Sequence, residues 1–316
     1  TCEVIAATDA KLDHAELFGA YLPEDRLVEL AGGPVVGSLS EGSVLFADVV
    51  GFTRLTTRLA QLFGPRRGAE EVPLYLNRLY EAVISEVTGF GGSAIGFAGD
   101  AVTCWFAGDD GMVATACALA MQGAMAQFAA VALDGAPGTE PVSLALKVTV
   151  GAGRARRFVV GDPAVQLIDV IAGGPVARIE TLERVVSTGQ VVVGPEVAAV
   201  LGNAFELGDV APQEGAAAPP PPKLVLAGAA RRGAPGAARR RAPPVELLAP
   251  WLLPTVRRRL GAGAGDFLTE LRPVAALFVN FAGIDIDEDG EAAGKLDEVV
   301  RRAQHVATEY EGNVLQ

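Results

Sequence analysis

Apolar and polar positions along this chain fall into short runs with two different periods. Ser43 to Val50 is a β-branched, apolar run that predicts a buried strand. From Glu70 to Val87, Val72, Leu76, Leu79, Val83 and Val87 recur at helical spacing, and Gly91-Gly92 breaks the pattern. Two short strands are expected near Ser93–Phe97 and Ala101–Phe106, joined at Gly99-Asp100. Met112 to Leu133 carries no charge and is long enough to cross a bilayer. It is rich in Ala, however, contains Gln122 and Gln127, lies between Asp109, Asp110 and Asp134, and has no flanking Lys or Arg. It therefore predicts a helix packed on a sheet, with no membrane span. Strands are expected next near Ser143–Ala152 and Arg157–Val160, then a helix near Val165–Glu183 and a strand at Val191–Val193. Residues 1–40 read as a helical lead-in, and 41–207 as the first folded unit.

Residues 208–244 change character. They are dominated by Ala, Pro and Gly, with Pro219 to Pro222 in succession, and hold Arg231, Arg232, Arg239, Arg240 and Arg241. Such a segment buries too little apolar surface to order itself, so it predicts a solvated linker. The alternative is a basic docking site for acidic lipid or another protein. Residues 245–316 resume folding. Leu247–Leu260 predicts a short helical connector limited by Pro250 and Pro254, Val274–Phe281 a strand, and Leu296–Tyr310 a helix. There is also an internal repeat. LFADVVGF (Leu45–Phe52) aligns with LFVNFAGI (Leu277–Ile284), and Leu76–Gly92 aligns without a gap with Leu296–Gly312. The same strand–helix–strand unit is expected to start twice, the second copy stopping at Gln316.

The 316 residues suggest two domains, and half are hydrophobic, enough for a core in each. A net charge of −12 argues against a nucleic-acid surface and means that an anionic ligand would need metal ions or backbone donors. Cys2, Cys104 and Cys117 have neither metal-ligand nor disulfide spacing, which fits a reducing, cytoplasmic setting. His14 and His305 stand at opposite ends, so a histidine-based metal site or triad is not expected. The chain starts at Thr1 with no signal peptide following, and reads as a fragment.

Two carboxylates stand out. Asp48 ends the first strand, just before Gly51-Phe52-Thr53, where a helix is expected to begin; Asp100 sits in the hairpin turn of GFAGDAVTCWF. An aspartate at the end of an apolar strand is costly unless paired or bound to a cation. Carboxylates without His or Cys partners select Mg²⁺ or Mn²⁺. If the first strand lies beside the hairpin, both aspartates reach one point, the layout of a two-metal phosphoryl-transfer site. The N–H groups of Phe52 and Thr53 would then face phosphates. Taken singly, Asp48 is equally a helix cap and Asp100 a turn residue; their joint context favours the metal reading.

FADVVGFT (Phe46–Thr53) and FAGDAV (Phe97–Val102) resemble the two metal-binding signatures of class III adenylyl and guanylyl cyclases, the second most closely those of the bicarbonate-responsive soluble cyclases and their bacterial relatives. The resemblance covers about residues 40–200 and 245–316. It implies an α+β, ferredoxin-like βαββαβ catalytic domain followed by the truncated start of a second copy. In that family two halves pack head to tail, one holding two metal ions and the other reading the purine and supplying an Asn and an Arg. Carried over by position, Asp48 and Asp100 are the metal ligands, with the Val49 carbonyl a third, and Gly51, Phe52 and Thr53 face the triphosphate. The implied substrate is ATP, or GTP, the cofactors are two Mg²⁺ or Mn²⁺ ions, and the partner is a complementary second half.

Departures from the pattern shape the expectation. Asn280 stands where the first copy has Asp48, so one active site is expected. No Asn lies between Arg78 and Asn203, so the first half lacks the family's Asn-x-x-x-Arg pair. Gly96 stands where the soluble cyclases place a bicarbonate-contacting Lys, and the adenine-reading Lys of the second half falls at Gln316. The chain alone is therefore expected to be inactive. The competing readings are a catalytically inactive nucleotide-binding regulatory module and another two-aspartate palm enzyme, such as a diguanylate cyclase or a polymerase.

Overall fold

The computed structural model describes residues 14–32, 39–133, 139–210, 221–228, 242–262 and 274–315. Two short lead-in helices, α1 (His14–Gly19) and α2 (Glu24–Leu30), precede β1 (Leu39–Val50). Helices α3 (Phe52–Phe63) and α4 (Pro65–Gly89) follow, then β2 (Ser93–Ala98), β3 (Ala101–Ala107), α5 (Met112–Ala124) and β4 (Ala145–Val160). After these come β5 (Ile168–Gly173), α6 (Gly174–Glu183), β6 (Val191–Val193), α7 (Pro195–Leu201), β7 (Phe205–Asp209) and β8 (Lys223–Gly228). The C-terminal part holds α8 (Val245–Leu248), α9 (Pro254–Gly261) and α10 (Ala292–Glu309).

The strands form one sheet in the order β2-β3-β1-β4-β6-β8-β7, with β5 paired to β4. β1 runs antiparallel to both β3 and β4, while β4 and β6 are parallel. Strand β1, the α3–α4 pair, the β2–β3 hairpin, α5 and β4 thus make a ferredoxin-like βαββαβ unit. The period-two alternation of β1 explains how it is covered. Leu45, Ala47 and Val49 face α3, α4 and α5, where Leu55, Leu59, Leu79, Val83 and Met121 are fully buried with them. Val44 and Phe46 face the other way, into a second cluster with Trp105, Val192 and the α6 residues Ile179 and Leu182. Each such buried aliphatic side chain contributes about 1.5–3 kcal/mol. The first part of the uncharged stretch from Met112 proves to be this core helix, with Ala114, Cys117, Ala118 and Met121 fully buried, but the α-helix ends at Ala124, short of the expected Leu133. No described helix is long and apolar enough to cross a membrane.

Four local expectations change. The strands expected near Ser143–Ala152 and Arg157–Val160 are one long strand, β4, passing through Gly153 at φ 137°. The helix expected from Val165 starts only at Gly174, because residues 168–173 form β5 against the outer end of β4. Residues 223–228 form β8 inside the segment whose composition reads as linker; β8 inserts between β6 and β7 and buries Val225. The basic cluster Arg231 to Arg241 lies outside the described residues. Finally, Val274–Phe281 forms no strand and is largely exposed, with Phe278 at 95%. No described strand lies beside it, and a lone strand leaves its backbone groups unpaired. The second half of the repeat does form a helix, α10, but it packs on β4 through Leu296 and Ala292 rather than on a sheet of its own.

The outer β4–β5 hairpin anchors the helices from both ends of the chain. In α2, Arg26 donates from Nε (3.1 Å) and Nη2 (3.0 Å) to Asp169 of β5. Arg157 of β4 also donates to Asp169, at 3.2 Å from Nε, and pairs with Asp25. Arg26 pairs further with Glu29 and lies 5.1 Å over the ring of Trp251. The lead-in helices and α8–α9 share an apolar cluster of Phe18, Leu22, Leu248, Leu252 and Leu260. On the other side, the Gly161 and Asp162 amides donate to Asp297 and Gln304 of α10, both at 2.8 Å. A charged group this deep is tolerated only while its partners remain. Asp169→Ala removes the buried carboxylate that both guanidinium groups share, leaving Arg26 (4% exposed) only Glu29 and Arg157 (3% exposed) only Asp25. It is expected to lower stability by about 3–5 kcal/mol. Urea unfolding followed by circular dichroism reads this, and a loss under about 1 kcal/mol would show that the ion cluster does not hold the hairpin.

Candidate active site

Strand β1 leaves the core at its C-terminal end, and there the apolar face gives way to chemistry. Asp48 follows Val44 and Phe46 on the α6 side of the sheet, directly between Ala101 of β3 and Lys147 of β4. Asp100 sits at the tip of the β2–β3 hairpin, beside Gly99 at φ 64°. The Val49 amide donates to the Asp100 carbonyl at 3.3 Å, tying the tip to β1 one residue past Asp48. The two aspartates, far apart in sequence, are thereby brought together. Val49 turns its own side chain into the opposite core, 4% exposed. Gly51 then reverses the chain at φ 99°; a Cβ there would sit 2.4 Å from the Ser143 carbonyl oxygen, so glycine is required on two counts. Phe52 and Thr53 open α3, which has no side-chain cap at its N-terminus, leaving first-turn N–H groups for another acceptor.

The electrostatics follow from this crowding. Both carboxylates are half-buried, and neither accepts a hydrogen bond from the described residues. Burial raises the Asp48 carboxyl above its usual range, and the Asp100 charge raises it further, while Lys147 acts in the opposite sense. Burial and then both aspartates push the Tyr80 hydroxyl up to about 12. Glu183, at the end of α6, is raised by burial and by Asp48, again against Lys147. This is a site of excess negative charge with one lysine inside it. It suits a hard divalent cation, which prefers carboxylate and carbonyl oxygen. Among the described residues no cluster of three or more His, Cys, Asp and Glu side chains forms a metal site, so an ion here would rest on the Asp48–Asp100 pair and backbone oxygen.

Sequence reasoning did not single out Lys147, Tyr80 or Glu183. Lys147 could have been found: it is the one charged residue in the apolar run ALKVTV, and it falls on an alternating position. Tyr80 and Glu183 carry no local signal, because only the packing of α4 and α6 brings them to the strand end.

No family model matches the chain. A stretch of 62 residues is 37% identical to Adenylate cyclase type 10 of Rattus norvegicus and, over the same length, to that of Homo sapiens. It covers 20% of this chain and 4% of those relatives, so the chain spans a small part of their length. Among solved structures, the adenylyl cyclase CyaB from P. aeruginosa superposes with a TM-score of 0.47 at 20% identity, covering 62% of this chain and 98% of that one. The guanylyl cyclase Cya2 superposes with a TM-score of 0.46, also at 20% identity, covering 60% and 91%. The chain is thus similar to class III adenylyl and guanylyl cyclases, the same resemblance that its two aspartate motifs carry.

The raised Asp48 pKa fixes a sign. A carboxyl whose folded-state pKa lies above its unfolded value favours folding fully only below the unfolded value, and that contribution is lost as pH rises through the folded one. At neutral pH the ionised Asp48 carboxylate therefore weakens the metal-free fold. Asp48→Asn is expected to stabilise the metal-free chain at pH 7 by less than about 1 kcal/mol, because the group is partly solvated, and so to raise its melting temperature. The gain should vanish as the pH falls toward about 4. Calorimetric scans across that range check it; a destabilised Asn variant at pH 7 would contradict the charge reading.

Proposed function

We propose that this chain carries the metal-binding half of a nucleotidyl cyclase, acting on ATP in preference to GTP and releasing a cyclic nucleotide and pyrophosphate. The observation that carries the reading is the convergence of Asp48 and Asp100 at the end of β1, beside Lys147, with no hydrogen bond to either carboxylate from the described residues. Two Mg²⁺ or Mn²⁺ ions bound there would neutralise phosphate charge and activate the attacking 3′-hydroxyl. Asp48, Asp100 and the Val49 carbonyl would hold the ions. The N–H groups of Phe52 and Thr53, at the uncapped start of α3, would bind the triphosphate through the positive end of the helix. Lys147 would add a cation on the same face, where the chain's overall charge is otherwise unfavourable. The family's Asn and Arg pair is absent from α6, whose sequence is GPVARIETLE. A complementary half would supply them, and one nucleotide site per chain follows.

Titration calorimetry with Mn²⁺ and a non-hydrolysable ATP analogue tests this. One site per chain is expected, and Asp48→Asn or Asp100→Asn should abolish the metal-dependent binding while leaving the circular dichroism spectrum unchanged. In the presence of a complementary half, either substitution should lower cyclic-nucleotide formation by at least about 10²-fold. Unchanged binding in both variants would remove the two-metal reading, and a stoichiometry of two would remove the single-site reading.

Lys147→Gln separates metal from phosphate. It should weaken nucleotide binding by about tenfold, the loss of one charge-assisted contact, while Mn²⁺ alone binds at least as tightly as before, since a competing cation is gone. If nucleotide affinity is unaffected, Lys147 serves only to offset Asp48.

A further inference from the structure

The hairpin tip that carries Asp100 is exposed: Phe97 is 41% accessible and Ala98 and Gly99 lie open to solvent. A turn of this kind, with glycine at positive φ, has little of its own to fix it. Two hydrogen bonds to consecutive carbonyls hold it. The Val49 amide takes the Asp100 carbonyl, and the Tyr80 hydroxyl of α4 donates to the Gly99 carbonyl at 3.3 Å. The Tyr80 ring also meets Phe97 edge-on, with centroids 5.3 Å apart and planes at 85°. The first tether binds the tip to the strand of Asp48; the second binds it to a different layer of the fold.

We propose that Tyr80 is a positioning residue for the metal site, its hydroxyl fixing the Gly99–Asp100 turn so that the Asp100 carboxylate stays at the distance from Asp48 at which one cation can bridge both. The proposal rests on the two-aspartate metal reading above. Three observations support it. α4 is anchored independently of the site, since Tyr75, Leu79, Val83 and Val87 are fully or almost fully buried. The hydroxyl bond holds Gly99 and the ring contact holds Phe97, two residues earlier, so α4 restrains the tip at two points. The hydroxyl is an ordinary phenol donor, protonated at neutral pH, and the Gly99 carbonyl is its acceptor. A purely structural Tyr80 would need only its ring, and phenylalanine would replace it without consequence.

Tyr80→Phe is therefore the discriminating substitution, because it keeps the ring contact with Phe97 and removes only the hydroxyl. Two measurements on the full chain decide the matter: Mn²⁺ titration without nucleotide, and backbone ¹⁵N relaxation at Gly99 and Asp100 in the metal-free state. The expected result is Mn²⁺ affinity lower by about three- to tenfold, as for one lost neutral hydrogen bond. Order parameters should fall at Gly99 and Asp100 alone, with an unchanged melting temperature. Affinity and order parameters equal to those of the unaltered chain would overturn the proposal while leaving the metal reading intact. Failure of the unaltered chain to bind Mn²⁺ would overturn the metal reading, and this proposal with it.

Discussion

Strand β1 is hydrogen-bonded along both edges, over seven consecutive residue pairs with β3 and twelve with β4. A strand held this way cannot slip by one residue without turning every side chain to the wrong face. Here both faces are covered, so a slip would turn Leu45 and Ala47 toward α6 and drive the Asp48 carboxylate into the core beneath α3, α4 and α5. That register sets the position of everything functional. It puts Asp48 opposite Lys147, aligns Val49 to bond the Asp100 carbonyl, and delivers the chain to Gly51, where the reversal into α3 must begin.

The same register accounts for the unfavourable charge at the strand end. Burial and the neighbouring Asp100 charge raise the proton affinity of the Asp48 carboxylate, and a metal-free fold carries that cost at neutral pH. Proteins hold such arrangements where a bound ion relieves them, and the relief then appears as binding affinity. On the proposed reading, the stability expected from asparagine at position 48 and the loss of an ion site there are two aspects of one interaction.

Beyond the βαββαβ unit, β4 continues outward and pairs with β5, and that hairpin gathers distant parts of the chain. The Arg26–Asp169–Arg157 cluster ties the lead-in to it, Trp251 stacks on Arg26 from the connector, and Gln304 of α10 closes its turn. Disturbance of the lead-in or the connector therefore reaches β4, the strand that carries Lys147. The C-terminal repeat presents a helix to this hairpin and leaves Val274–Phe281 exposed, so its likeness to the first unit is in sequence and in the helix, not in a formed sheet.

Local periodicity was enough to read β1, the helix ending at Gly89, the β2–β3 hairpin and the core helix at Met112, because each is set by side chains within a few residues of one another. The two aspartates were legible for a related reason: each breaks an apolar pattern at a place where a local structural role alone leaves it poorly satisfied. The sequence did not determine β5, which has helical-looking spacing and becomes a strand only because β4 runs long enough to pair with it. Nor did it determine β8, whose polar, proline-rich flanks hide a short run that finds its partners in β6 and β7. Lys147, Tyr80 and the buried Arg26–Asp169–Arg157 cluster were likewise decided by tertiary structure. Hydrogen bonding between strands and the pairing of buried charges depend on which residues the fold brings together across long sequence separations, and no local pattern encodes that distance.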